Sequence, residues 1–249
     1  MPPRGLRPIG IALVDKPPGP SSFAVVATLR RRTRARTGHA GTLDPFASGL
    51  LLLLSGAATR LTPCFVGLDK RYVTDIDLTA TTTTGDPEGD VVERHTALTE
   101  PELGVAVERL RGEIELRIPA ASAVKIDGER AYKLARRGVE VEMPSRRSSV
   151  HELTVEEYDG TTVRLSMHVS SGTYVRSLAQ SLGGHCTTLR RTAVGPFSVD
   201  EADREAADAT LLDVEAVLAR LPAEALERVP APVRNGVLAA AATGGTGAA

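Results

Sequence analysis

Thr37-Gly38-His39-Ala40-Gly41-Thr42-Leu43-Asp44-Pro45-Phe46-Ala47-Ser48-Gly49-Leu50, running on into Leu51-Leu52-Leu53-Leu54, is the stretch around which the chain is organised. The five leucines read as a buried strand. Just before them one carboxylate, Asp44, stands among Gly38, Gly41 and Gly49 with a histidine and a proline. Glycine lets a backbone approach a ligand closely and adopt positive φ, and Pro45 biases Asp44 toward an extended conformation. Two meanings fit these residue types. A polar turn between a helix and a strand is the commoner fate of an Asp-Pro in a glycine-rich loop; an acid held on a stiff active-site loop at the mouth of a core strand is the other.

Around this stretch the chain is strongly polarised in charge. Residues 1–72 carry eleven Lys or Arg against Asp15, Asp44 and Asp69, whereas residues 200–227 carry nine acids against Arg204 and Arg220, so the net charge of −1 hides a field of one sign around the loop. Arg30-Arg31-Arg32-Thr33-Arg34-Ala35-Arg36 lies immediately before it, where RNA phosphates can pair with cations; cations closing a helix against its dipole are the alternative. At 249 residues, 42% hydrophobic and 24% charged, the chain can bury one large core or one domain with an appendage. No apolar run approaches a membrane span, and the start lacks the apolar core of a secretion signal. Cys64 and Cys186 make neither a disulfide framework nor a metal-ligand spacing. The expected compartment is the cytosol.

Taken in order, residues 10–16 read as a strand entering the turn Pro17-Pro18-Gly19, and a helix capped by Ser21 or Ser22 ends in the arginine cluster. Residues 57–66 read as a short helix. Residues 69–78 alternate as a half-buried strand with Tyr72, Thr74, Ile76 and Leu78 on one face. Thr99-Glu100-Pro101-Glu102 makes a capping box for a helix ended by Gly112, and a strand follows over 113–118. Residues 150–158 and 161–170 form a strand pair turning at Asp159-Gly160. A helix opening at Ser171-Gly172-Thr173 carries Tyr174, Val175 and Arg176. Residues 200–227 look helical and acidic, and residues 237–249 are an Ala/Gly tail. This order predicts a mixed α/β (α+β) domain with a central, largely antiparallel sheet flanked by helices.

Gly-His-x-Gly-Thr-Leu-Asp-Pro-x-Ala-x-Gly-Leu-Leu resembles, nearly residue for residue, the catalytic motif of the TruB family of tRNA pseudouridine synthases. Four further segments are similar to that family: Asp15-Lys16-Pro17-Pro18-Gly19, Lys70-Arg71-Tyr72, the segment from Pro119 through Ser122, Lys125 and Gly128 to Tyr132, and Gly172-Thr173-Tyr174-Val175-Arg176 with Leu189-Arg190-Arg191. The likeness covers roughly residues 9–199. It implies the pseudouridine synthase fold, Asp44 as nucleophile, Tyr72 as the base-stacking residue and general base, and Arg176 as the partner of the aspartate. It implies RNA contacts by His39, Lys16, Arg30, Arg31, Arg32, Lys70, Lys125, Tyr174 and Leu189, with His39 filling the space left by an extruded uridine. Tyr132 reads as a packing residue.

The implied reaction is isomerisation of uridine 55 in the T-loop of tRNA, without cofactor or metal, by a monomer that needs no protein partner. The segment from Thr79 to Pro87 departs from the family pattern, lacking its glycine and adding a proline. The C-terminus also departs: residues 200–249 stand apart from a catalytic domain of residues 1–199, as an acidic helical segment and tail in place of a full RNA-binding module. Three other classes fit less well: a guide-RNA-dependent synthase, a noncatalytic RNA binder and a glycosidase. A pure binder gains nothing from an acid facing phosphates, and no second carboxylate stands in a partnering motif for a glycosidase.

Overall fold

The structure, a computed structural model, describes residues 8–122, 124–126, 128–131, 134, 137, 139 and 141–244. The packing expectation for Tyr132 lies outside these. In chain order the elements begin with β1 (Gly10–Lys16), α1 (Ser22–Thr33), β2 (Thr37–His39) and β3 (Ser48–Ser55). After a 3-10 turn at Gly56–Leu61 come α2 (Thr62–Val66), β4 (Lys70–Asp77), β5 (Ala80–Thr82), β6 (Val91–Arg94), α3 (Glu100–Glu108) and β7 (Gly112–Arg117). Then follow β8 (Lys125–Ile126), β9 (Glu129–Arg130), β10 (Ser145–Tyr158), β11 (Thr162–Val169), α4 (Val175–Ser181), β12 (His185–Val194) and β13 (Phe197–Ser198). The helices α5 (Val214–Leu218), α6 (Ala223–Glu227) and α7 (Ala231–Gly244) close the chain.

These elements form two compact units, one built from residues up to 70 together with those from 190 onward, the other from residues 71–189. In the first, β3 pairs antiparallel with β1 and β2, and parallel with the end of β12 through Ser48↔Arg190 and Gly49↔Arg191. The leucine run is a strand because both its faces are covered, which removes the need for polar alternation. Leu50, Leu52 and Leu54 pack with Ile11, Leu13, Phe65, Phe197, Val214, Val217 and Val237. Leu51 and Leu53 are equally buried on the opposite face, and α1 lies against β3 and β2.

The second unit holds the beginning of β12 and, in strand order, β4, β11, β10 and β7. Its hairpin turns where expected: Asp159 Oδ1 accepts from the backbone N–H groups of Thr161 and Thr162, and Gly160 takes φ +95°. In β4, Lys70, Tyr72, Thr74 and Ile76 are buried in strict alternation, as the sequence pattern predicts. The mixed α/β class with largely antiparallel strands and flanking helices is therefore the observed one.

Three expectations are corrected. The helix α3 stops at Glu108 and Gly112 instead opens β7 with φ +80°, because a left-handed glycine serves a strand entry as well as a helix exit. Residues 202–213 are largely irregular rather than helical, and two bridges, Val14↔Asp203 and Ile11↔Leu212, tie them to β1. Residues 200–244 belong to the first unit, where Val214, Val217, Leu221, Ala225 and Val229 complete the leucine core. The segment read as a tail contains α7, whose Val237 is fully buried in that core. Val237→Asp should lower unfolding free energy by about 3 kcal/mol or more, as an unpaired buried carboxylate does. Ala239→Asp, at an exposed position two residues on, should change it by less than about 0.5 kcal/mol in the same denaturant titration.

Candidate active site

Asp44 sits half-buried between β2 and β3 on a loop whose main chain is fixed at nearly every residue. Ser21 caps α1 by accepting from Ala24 N–H at 3.2 Å, which frees Ser22 for another task. The buried Ser22 Oγ donates to Leu43 O and accepts from Leu43 N–H, both at 2.8 Å. Immediately after the aspartate, Pro45 O accepts from Gly19 N–H at 2.8 Å and from Lys16 Nζ at 3.2 Å, and Ala47 N–H donates to Asp44 O at 3.2 Å. The two proline-rich segments that flank the site are thus bolted to one another.

Lys16 is fully buried, and its ammonium also donates to Pro17 O at 2.8 Å and Pro20 O at 2.9 Å. Lys70 is nearly as buried, with Nζ donating to Val66 O and Leu68 O, both at 2.6 Å. Both ammonium groups, expected to contact RNA, lie on main-chain carbonyls. Arg30 and Arg31 are exposed on the last turn of α1; Arg31 donates to Thr28 Oγ1 at 3.1 Å, and Arg30 lies 6.0 Å from the ring centroid of Phe23, which is 66% exposed. Arg32 is exposed too and donates to Ala209 O. His39 ends β2 with Nδ1 buried and without a hydrogen-bond partner among the described residues. Burial, helped by the charge of Arg191, holds its imidazole below the ordinary value, so the ring is neutral at pH 7.

The first unit therefore carries Asp44, His39, Lys16, Lys70 and the arginine cluster, with Lys16 close enough to Asp44 to feel its charge. The second carries Tyr72, Lys125, Tyr174, Arg176 and Leu189. Tyr72 is buried on β4 and Leu189 is buried on β12, while Lys125 is exposed. Tyr174 immediately precedes α4 and packs on the cluster of Ile118, Ala131 and Met143. The Arg176 guanidinium is 3% exposed, donates to Thr84 O at 2.7 Å and Ala121 O at 3.0 Å, and lies 3.4 Å from Asp86 Oδ2. Asp86 is itself buried and held by Thr84 Oγ1 at 2.5 Å and Glu88 N–H at 3.0 Å. The unusual threonine-rich loop is thus the seat of the arginine.

Sequence reasoning missed Ser22, Asp86 and Arg191 as site residues. The signals were Ser22 one residue past the cap, Asp86 inside the departing loop, and Arg191 within the family-like segment Leu189-Arg190-Arg191, of which only Leu189 was singled out.

Gly49 takes φ +103°, and a Cβ there would lie 2.2 Å from Arg191 O and 2.7 Å from Arg191 N. Gly49→Ala should cost about 3 kcal/mol in a denaturant titration, because both the left-handed backbone and the strand contact oppose it. Burial pushes the Lys16 ammonium down to about 8, with Asp44 opposing and Arg191 adding to the shift. The ammonium has three donors for three carbonyls, while the neutral amine has two. The folded value lies below the unfolded one of 10.5, so burying the charge costs stability below about pH 8, and that cost is relieved between pH 8 and 10.5. Turnover should fall above pH 8 while this group's stability term rises. Lys16→Met should remove the alkaline limb, checked by pH–rate profiles alongside thermal melts.

The fold recurs in known proteins. Within the solved Cbf5–Nop10–Gar1 complex one chain is 32% identical, with a TM-score of 0.59 over 77% of this chain and 50% of that one. This chain thus spans about half the length of that relative. A chain in an H/ACA RNP bound to a substrate RNA containing 2′-deoxyuridine is 29% identical, with a TM-score of 0.57 over 77% and 49%. The fold is that of a pseudouridine synthase. The family model "TruB family pseudouridylate synthase (N terminal domain)" matches residues 30–175. The tRNA pseudouridine synthase B of Mycobacterium sp. (strain KMS) is 47% identical over 206 residues, 78% of this chain and 69% of that protein. That of Thermobifida fusca (strain YX) is 43% identical over 238 residues, 87% and 81% respectively. The chain belongs to the TruB family of pseudouridylate synthases.

Proposed function

We propose that the protein isomerises uridine to pseudouridine at position 55 in the T-loop of tRNA, with Asp44 as nucleophile on a flipped-out uridine. The observation that carries this reading is the immobilisation of the Asp44 loop by Ser22, Gly19, Lys16 and Arg191. A carboxylate whose backbone is tied on both sides meets the geometric demand of nucleophilic catalysis. The relatives named tRNA pseudouridine synthase B support tRNA as the substrate.

The reaction cleaves the bond from uracil N1 to ribose C1′, turns the base and rejoins C1′ to C5. N1 gains a proton and C5 loses one, so substrate and product are isomers. Asp44 attacks C1′ as in a retaining glycosidase, or adds to C6 of the ring. Tyr72 stacks on the base and takes up the proton, and Arg176 supports the aspartate's charge. Neutral His39 fills the gap left in the RNA stack. The exposed Arg30, Arg31 and Lys125 meet phosphates.

The enzyme acts in the cytosol as a monomer without an obligatory protein partner or cofactor. Among the described residues no helix is long and apolar enough to cross a membrane. A noncatalytic RNA-binding role makes the opposite prediction for turnover. The full chain should release tritium from tRNA transcript labelled at uridine C5; Asp44→Asn, or a transcript with cytidine at position 55, should abolish release by a factor of about 1,000 or more. Tight tRNA binding by the unaltered chain without release would establish the noncatalytic role instead.

A further inference from the structure

Arg191 is the largest of the fully buried side chains, at 1% exposure. A guanidinium taken out of water must find acceptors for its fork of N–H groups. Nε donates to Leu50 O at 2.7 Å, Nη2 to Gly41 O at 3.1 Å and Nη1 to Thr42 O at 3.4 Å. Gly41 and Thr42 belong to the limb entering the Asp44 turn, and Leu50 to the strand leaving it. Its neighbour Arg190 behaves quite differently, making a two-pronged ion pair with Asp15 at 3.0 and 2.7 Å. Two adjacent arginines on β12 thus have separate tasks, one on a carboxylate and one on the main chain of the loop.

Two left-handed glycines of the loop lie against Arg191. Gly41 takes φ +97°, and a Cβ there would meet Arg191 Nη1 at 3.5 Å; Gly49 has no room for a Cβ because the Arg191 main chain occupies it. The charge is felt locally, since it depresses both Lys16 and His39.

We propose that Arg191 is a positioning residue for Asp44. It ties the two limbs of the loop at a fixed separation, so that the carboxylate is presented to the reacting carbon in one orientation. It acts through the backbone and not on the reacting atoms. Lysine retains the charge but offers a single donor centre that cannot span three oxygens in a plane. The inference rests on the reading of Asp44 as the nucleophile.

The test is single-turnover tritium release, with the RNA dissociation constant measured in parallel, for the full chain carrying Arg191→Lys, Arg191→Met or Asp44→Asn. Both Arg191 variants should be slower by about 100-fold, the scale of a misplaced catalytic group. RNA affinity should stay within about threefold of the unaltered chain, because a positioning defect spares binding. A folded Arg191 variant that keeps the unaltered rate overturns the proposal. So does loss of RNA binding in step with rate, since that marks a residue that only holds the fold. If Arg191→Met does not fold, Arg191→Lys decides by the same two readings. Should Asp44→Asn retain the unaltered rate, the nucleophile reading fails on its own, with Arg191 still in place.

Discussion

Main-chain carbonyl oxygens are what hold the site, and buried cations are what hold the carbonyls. Lys16 reaches Pro45 O just after Asp44, and Arg191 reaches Gly41 O and Thr42 O just before it. Burying two like charges a short distance apart is costly. Three hydrogen bonds to each offset part of that cost, and the Asp44 charge stabilises the Lys16 ammonium. The aspartate and the cations are therefore mutually dependent. The first unit follows from this, since β1 must deliver Lys16, β3 must leave the loop through the leucine core, and β12 must bring Arg191 to Gly49.

Much of this was legible in the residues. The leucine strand, the period-two burial of β4, the capping box of α3 and the Asp159-Gly160 turn are local patterns, and local patterns survive folding when packing agrees with them. The acid at the centre of the loop was legible for a different reason: a fourteen-residue motif carries more information than any single residue type. Its handling as an active-site loop came from likeness to a family, since an Asp-Pro among glycines is more often a turn.

What residue type could not show is where a cation spends its charge. Lys16 and Lys70 look like phosphate contacts in a basic segment, yet both are buried on carbonyls, while Arg30 and Arg31 a few residues away are exposed. The difference lies in tertiary closure, because the oxygens that take up Lys16 include one 29 residues away. The Arg191 contacts span about 150 residues and the Arg176 contact with Thr84 spans 92. The acidic C-terminal segment misled for a related reason. Its apolar positions are too sparse to announce a core, and they become one only against leucines about 160 residues earlier in the chain.

The order in which the first unit is assembled has a consequence for how the protein is made. Residues 71–189 form a continuous stretch that can collapse as soon as it leaves the ribosome. The leucine face of β3 is different: Val214, Val217 and Val237, which cover it, are translated about 160 to 190 residues later. At 5–20 residues per second the part of that face not already covered by Ile11, Leu13 and Phe65 waits roughly ten to forty seconds for these residues. The separation of this core along the sequence therefore sets the order of assembly: the first unit is complete only once its last residues are made, whereas the second closes from one continuous stretch.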